Sequence, residues 1–311
     1  MANDMTHKDW FYSSLRATLL ILLLVVIVNY FNDPLWISDQ ENFLNDQQQG
    51  FNERQQKTNK IFFTKEKYDS VMVGNSKVTY IDQNHFKKSK LFNYSVSDMR
   101  PDEYYDYIEF FKENMGNPKY IILGIDFSSC LKRDIYLRGP EFYFQNTKSP
   151  FYQYKQLLSY DTIIYSFRNF LKFFSQKSTV YDRGNVKIKK GFKKEEGSKI
   201  DIVNWENEAK KDYELAEYNN NFEKNLSKIR LKNPKSKIVT VFLPDFHPKF
   251  LFYIKSKKIY DSCVRDAKRY SDSVYNFMYF NKLTTNAANY YDGVHFRPDI
   301  GKMIMENIEN N

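Results

Sequence analysis

VMVGNSK, residues 71–77, is the stretch from which the fold can be read. A short apolar run between polar neighbours, ended by small and turn-forming residues, reads as a strand buried on both faces. Similar runs recur downstream as LFNYSV (91–96), KYIILGIDF (119–127), KIVTVFLP (237–244) and, more weakly, SVYNFMYF (273–280). Amphipathic stretches separate them. PDEYYDYIEFFKENM (101–115) opens with Pro and acidic residues, as a helix start does. Residues 205–232 read as a long helix of alternating charge, about 250–270 as a polar helix, and RPDIGKMIMENI as a closing helix with Pro just inside it. Strands alternating with helices predict a parallel sheet covered on both faces.

One segment breaks the alternation. Residues 128–200 lie between the third and fourth strands and are far too long for a simple crossover, so they read as an insertion or cap. The chain of 311 residues carries 47 Lys and Arg against 38 Asp and Glu, a net charge of +9. Within 128–200 stand 15 Lys and Arg against 6 Asp and Glu, which accounts for the whole excess, together with fifteen Phe and Tyr. Two readings of this segment stay open. KIKKGFKKEEGSK (187–199) suits a solvated loop, or a basic and aromatic surface for anionic lipid headgroups or an acidic glycan.

At the other end, ATLLILLLVVIV (17–28) contains no charge or strong polar group. Trp10, Phe11 and Tyr12 before it and Tyr30, Phe31 and Trp36 after it resemble interfacial belts, and no A-x-A cleavage site follows. The reading is an uncleaved anchor over 15–31, with residues 1–14 as a cytoplasmic stub. Lys8 and Arg16 precede the span and the next basic residue is Arg54, so the positive-inside rule places everything after the span outside. Residues 32–67, rich in Gln and Asn, read as a polar neck, and 68–311 as the α/β domain. An outside location makes nucleic acid an unsuitable partner despite the basic balance. Two cysteines, Cys130 and Cys263, exclude a disulfide scaffold and a four-thiolate zinc site. They can pair outside the cytoplasm or be buried as small apolar groups. No metal-ligand spacing and no Gly-rich phosphate loop occurs, so no metal or cofactor is expected.

In an open parallel sheet, function gathers at the carboxyl ends of the strands. Ser76, straight after the first strand, can present its hydroxyl there. Near the C-terminus Asp292 precedes His295 by three residues in YDGVHF, a spacing that lets the carboxylate orient the imidazole. Ser, His and Asp together form a nucleophilic triad. His247 and Asp245 follow the fourth strand at the functional edge; His247 reads as a loop residue capping the next helix or a substrate contact, and Asp245 as a helix N-cap or a ligand for a carbohydrate hydroxyl. His85 reads as a surface residue and His7 as part of the stub.

VMVGNSK, LFNYSVSD, YIILGIDF and DGVHFRPDIG resemble, in order and position, the blocks of the SGNH (GDSL-like) hydrolase superfamily. The likeness is nearest to its membrane-anchored extracytoplasmic branch, which includes alginate and peptidoglycan O-acetyltransferase components and the D-alanyl-lipoteichoic acid biosynthesis protein. It spans roughly 68–127 and 237–309. The resemblance implies a flavodoxin-like three-layer α/β sandwich with a parallel sheet, preceded by one transmembrane helix. It implies Ser76 as nucleophile, His295 as base and Asp292 as its partner, with backbone N–H groups of Ser76 and Ser95 binding the oxyanion. Ser95 stands where the family often has Gly, and Asp126 where hydrolytic members have Asn. A carboxylate there would repel a developing oxyanion, and loss of one donor typically costs ~10²–10³ in rate.

What the resemblance implies is an acyltransferase or acylesterase acting on a bacterial cell-envelope polysaccharide or polymer, beside a polytopic membrane O-acyltransferase. The rival expectation is a catalytically degraded subunit of the same fold that binds glycan or assembles with such a partner.

Overall fold

A computed structural model describes residues 6–132, 138–175, 178–182, 184–192, 216–248, 251 and 253–310. The chain begins with helix α1 (His7–Asn32), a two-residue strand β1 (Gln47–Gln48) and helix α2 (Glu53–Phe63). Strands β2 (Ser70–Val73) and β3 (Leu91–Asn93), helix α3 (Pro101–Met115) and strand β4 (Tyr120–Ile125) follow. The long segment after β4 contains helices α4 (Pro140–Lys148), α5 (Tyr152–Leu157) and α6 (Tyr160–Phe173), then strands β5 (Ser178–Asp182) and β6 (Lys187–Lys190). The chain closes with α7 (Asn221–Lys232), β7 (Lys237–Phe242), α8 (Ile254–Tyr270), β8 (Ser273–Asn276), α9 (Lys282–Thr285) and α10 (Pro298–Glu309).

Five strands form one sheet in the order β3-β2-β4-β7-β8, and every pairing is parallel. Counted along the chain this is 2-1-3-4-5, the flavodoxin-like order. The alternation of side chains explains the two covered faces. Val71, Val73, Ile121, Leu123 and Ile125 pack into one core with α3, α7 and α8. Met72, Ile122, Val239 and Val241 pack into the other against α10. Strands buried on both sides must be apolar throughout, which is the pattern of VMV and YIILGI. A Cβ on Gly74 would come within 2.3 Å of Val78 Cγ2, and so would one on Gly124. Both glycines therefore make room for Val78 beneath the turn that follows β2.

The polar segment expected to be a neck is instead part of the domain. Arg54 through Asn59 of α2 are all buried, and Lys57 is fully enclosed. Lys57 Nζ donates to the Asn93 carbonyl at 2.9 Å, and Tyr94 Oη donates to Thr58 Oγ1 at 2.8 Å. Arg54 pairs with Glu103 of α3. Gln55 Nε2 donates to Thr147 Oγ1 at 2.7 Å, tying α2 to α4. A polar composition signals solvent only when its groups lack internal partners; here each finds one.

The insertion is likewise built into the structure. β5 pairs antiparallel with β1 and with β6, so the segment after β4 completes a small sheet with the segment before α2. Residues 187–190, expected within a solvated loop or a lipid-facing patch, form β6; residues 193–215 lie outside the described residues. The long helix expected over 205–232 begins at Asn221 among the described residues. Cys130 and Cys263 form a disulfide that ties the short 3₁₀ turn Phe127–Cys130 after β4 to α8.

α1 is the one described helix long and apolar enough to cross a membrane, and none of its apolar window is buried.

Candidate active site

β2 ends at Val73, and the chain turns through Gly74-Asn75-Ser76 into a 3₁₀ turn, Val78–Tyr80. Val78 N–H donates to the Asn75 carbonyl at 3.0 Å and Thr79 Oγ1 to the Ser76 carbonyl at 2.6 Å, which hold Ser76 at the carboxyl edge of the sheet. The other half of the site is a loop before α10. Tyr290 and Phe296 pair across it, and Tyr291 N–H donates to the His295 carbonyl at 2.8 Å. Within the loop, Asp292 Oδ1 accepts the N–H groups of Val294 at 2.9 Å and His295 at 2.7 Å. The Asp-x-x-His spacing therefore builds its own turn, with the acid folded back onto the imidazole.

Across 219 residues of sequence the two halves meet. His295 Nε2 lies 2.9 Å from Ser76 Oγ, and His295 Nδ1 lies 3.1 Å from both Asp292 carboxylate oxygens. Nδ1 carrying the proton toward Asp292 leaves Nε2 free to accept from the serine hydroxyl, the tautomer a general base requires. Ser76 is half-buried and lines a cleft. Burial alone would raise the Asp292 carboxyl, but hydrogen bonds from His295 and Lys189 outweigh it and hold the group far below the usual carboxylate range. Lys189 Nζ donates to Asp292 Oδ2 at 2.8 Å and lies over the Tyr291 ring at 4.9 Å.

Asp126 and Ser95 sit differently from expectation. Asp126 lines the cleft but is no loose carboxylate. It caps the turn Phe127–Cys130, accepting from Ser129 N–H at 2.9 Å, Ser129 Oγ at 2.7 Å and Ser128 Oγ at 2.8 Å. Lys77 Nζ stands 3.4 Å from it and also pairs with Asp245. Burial would raise Asp126, yet Lys77 and these hydrogen bonds keep it at about 2, so it stays charged and paired. Its charge is thus compensated by Lys77 rather than turned on the reacting centre. Ser95 is fully buried, and its N–H donates to Asn93 Oδ1 at 3.1 Å. It is not among the residues that line the cleft, and its donor is not presented to a ligand as expected.

Beside Ser76 opens a cleft of about 440 Å³, lined among others by Lys77, Arg100, Asp126, Asn219 and Val294. That size suits a small ligand or a few sugar units. Asp245, expected to cap a helix, pairs with Lys77 in its wall. His247 holds a left-handed backbone (φ 49°) with its N–H on the Thr284 carbonyl, and it does not line the cleft. His85 ends a 3₁₀ turn and His7 starts α1. No group of three or more His, Cys, Asp or Glu among the described residues could hold a metal ion.

Two residues at the site escaped the sequence reading. Lys77 follows Ser76 directly, and only its partners, distant in sequence, mark it. Lys189 lies in the insertion, where basic residues read as surface.

The sequence matches no family model and no curated protein. Among solved structures, the chain is similar to one described as "a putative platelet activating factor from Streptococcus pneumonia", at 9% identity and a TM-score of 0.42, covering 94% of this chain and 98% of that one. It is also similar to an active site mutant of a family two carbohydrate esterase from Clostridium thermocellum in complex with celluohexase. There the identity is 7% and the TM-score 0.32, over 80% of this chain and 64% of the other.

Proposed function

We propose that this protein is a membrane-anchored serine esterase or acyltransferase that modifies a hydroxyl-bearing polymer of the cell envelope. The observation that carries the reading is the Ser76–His295–Asp292 chain of contacts at 2.9 and 3.1 Å beside an open cleft. Ser76 Oγ attacks an ester carbonyl while His295 Nε2 takes its proton, and Asp292 stabilises the imidazolium. Collapse of the tetrahedral intermediate expels the alcohol, which takes the proton from His295, and leaves an acyl-serine. Water or an acceptor hydroxyl, deprotonated in turn by His295, then releases the acyl group. Water gives an esterase and a polymer hydroxyl gives a transferase. The backbone N–H of Ser76 donates to no group among the described residues and is available to the developing oxyanion.

Location outside the cytoplasm is supported by α1 and by the Cys130–Cys263 disulfide, a bond that persists in oxidising compartments. Tethering would concentrate the site near an acyl group delivered through the bilayer by a polytopic O-acyltransferase.

One observation favours a second reading, that of a non-catalytic subunit binding glycan. The Ser95 N–H is engaged by Asn93, so the oxyanion has fewer donors than in a vigorous esterase. The full chain assayed on a chromogenic acetyl ester separates the two. Turnover that is lost in Ser76→Ala supports the enzyme, whereas equal rates from both forms refute the Ser76 assignment.

A further inference from the structure

α6 is amphipathic in the reverse sense from a helix on a soluble domain. Its polar stripe, Thr162, Ser166 and Asn169, is buried. Its apolar stripe faces outward, with Phe167 59%, Phe170 49%, Leu171 54% and Phe174 69% exposed. A surface helix ordinarily turns its apolar side to the core.

Ser166 and Asn169 of this stripe are spent on α1. Ser166 Oγ donates to Asn29 Oδ1 at 3.0 Å, and Asn29 Nδ2 donates to the Leu157 carbonyl at 2.9 Å. Asn169 Nδ2 donates to Asn32 Oδ1 at 3.1 Å, and Asn32 Nδ2 to the Ser166 carbonyl at 3.3 Å. These bonds fix α6 at one level of α1, immediately after the apolar run that ends at Val28. If α1 spans the bilayer, this level is the boundary between hydrocarbon and headgroups. The apolar surface of α6 continues that of α1, since Ile27, Val28 and Phe31 line one groove with Ile163, Phe167 and Phe170. Phe43, 76% exposed, is held at the same level by the bond from Asn42 Nδ2 to the Phe31 carbonyl at 2.9 Å. Lys155, Arg168 and Lys172 are exposed on α5 and α6 beside this face. Basic residues flanking an aromatic and apolar stripe form the pattern of a helix lying in a membrane interface.

We infer that α6 lies along the bilayer surface as a second membrane contact, its Phe167–Phe170–Leu171–Phe174 face seated among lipid headgroups and upper acyl chains. The inference rests on α1 as a membrane span. With α1 crossing and α6 lying flat, joined to it by three hydrogen bonds and through α5 by a fourth, the domain is held in one orientation above the lipid, and the cleft beside Ser76 at one height.

The test uses the full chain in nanodiscs of phosphatidylcholine with a minority of phosphatidylglycerol. A polarity-sensitive fluorophore is placed at Leu171→Cys or, as a control, at exposed Leu231→Cys on α7; Cys130 and Cys263 are bonded and do not compete. The Leu171 label should be blue-shifted, quenched by lipid carrying a spin label high on the acyl chain, and shielded from aqueous iodide. The Leu231 label should behave in the opposite way. Adding Phe170→Glu should move the Leu171 label into water. Equal iodide access to both labels overturns the inference. So does a label shielded in native membranes but open to iodide in nanodiscs, which would identify a protein partner instead. Release of the chain from membranes by alkaline carbonate is a separate result, one that removes the anchor reading itself.

Discussion

Lys189 Nζ donates to Asp292 Oδ2 at 2.8 Å, joining β6 of the insertion to the carboxylate that meets His295, 103 residues further along the chain. The same carboxylate is bound by His295 through its ring and its backbone. Asp292 is therefore held from two directions, once by its own loop and once by a strand inserted elsewhere. Its side chain is 43% exposed, so without Lys189 it is open to competing water.

Lys189→Met should lower kcat by about 10- to 100-fold, since small misplacements of catalytic groups cost that much. KM should be little changed because Lys189 does not line the cleft. Lys189→Arg should restore most of the rate. An equal loss in both variants, or a change confined to KM, would show that Lys189 does not act through Asp292. Steady-state kinetics on a chromogenic ester reads this directly.

Ser76 and His295 act as a unit, so their removal should be strongly non-additive. Ser76→Ala and His295→Ala should each reduce kcat by up to about 10⁶-fold. The double variant should lose no more than either single one. Additive losses would mean that the 2.9 Å contact between them is not used in catalysis.

The buried pair of Lys77 and Asp126 makes stability depend on acid. Asp126 titrates at about 2 in the folded chain against 3.8 ordinarily. A depressed carboxyl contributes stability that is complete above about pH 4 and lost as the pH falls toward about 2. The shift corresponds to about 2 kcal/mol. Lys77→Met leaves Asp126 and Asp245 without their cation and should cost about 3–5 kcal/mol at neutral pH. It should also flatten the acid dependence, as Asp126 returns toward its ordinary value. Urea denaturation midpoints at neutral and acid pH measure both effects.

Reduction of Cys130–Cys263, or the double change to Ala, should cost about 3–5 kcal/mol, because the bond closes a loop with a sequence separation of 133. The bond also anchors the turn capped by Asp126 to α8, so the wall of the cleft should loosen. Melting temperature with and without reductant reports the first effect, and a raised KM the second. An unchanged melting temperature would contradict this account.

The strands were legible because burial on both faces demands apolar runs; VMV and YIILGI are such runs, and IVTVF is broken only by Thr240. Asp292 and His295 were legible because their contact is local, three residues apart within one loop. The role of α2 was not. Gln55, Gln56, Lys57 and Asn59 look like a solvated neck until Asn93, Thr147 and the Leu35 carbonyl are placed around them. The reverse amphipathicity of α6 was hidden for a related reason. A periodic pattern shows that a helix has two faces, but not which one is turned inward.

The sequence by itself determined the alternation of strands and helices and the apolar helix at the start, and it offered Ser76, Asp292 and His295 as candidates. The elements follow from periodicity; the candidates follow from their places after the first strand and before the last helix, and their roles from what the resemblance implies. Only the tertiary structure decided that Asp126 is neutralised by Lys77, that the Ser95 N–H is spent on Asn93, and that Lys189 holds Asp292. Each of these rests on contacts between charged or polar groups far apart in sequence. Electrostatic and hydrogen-bond partners depend on distance in space, and polar side chains carry no periodic signature of the partner they will meet.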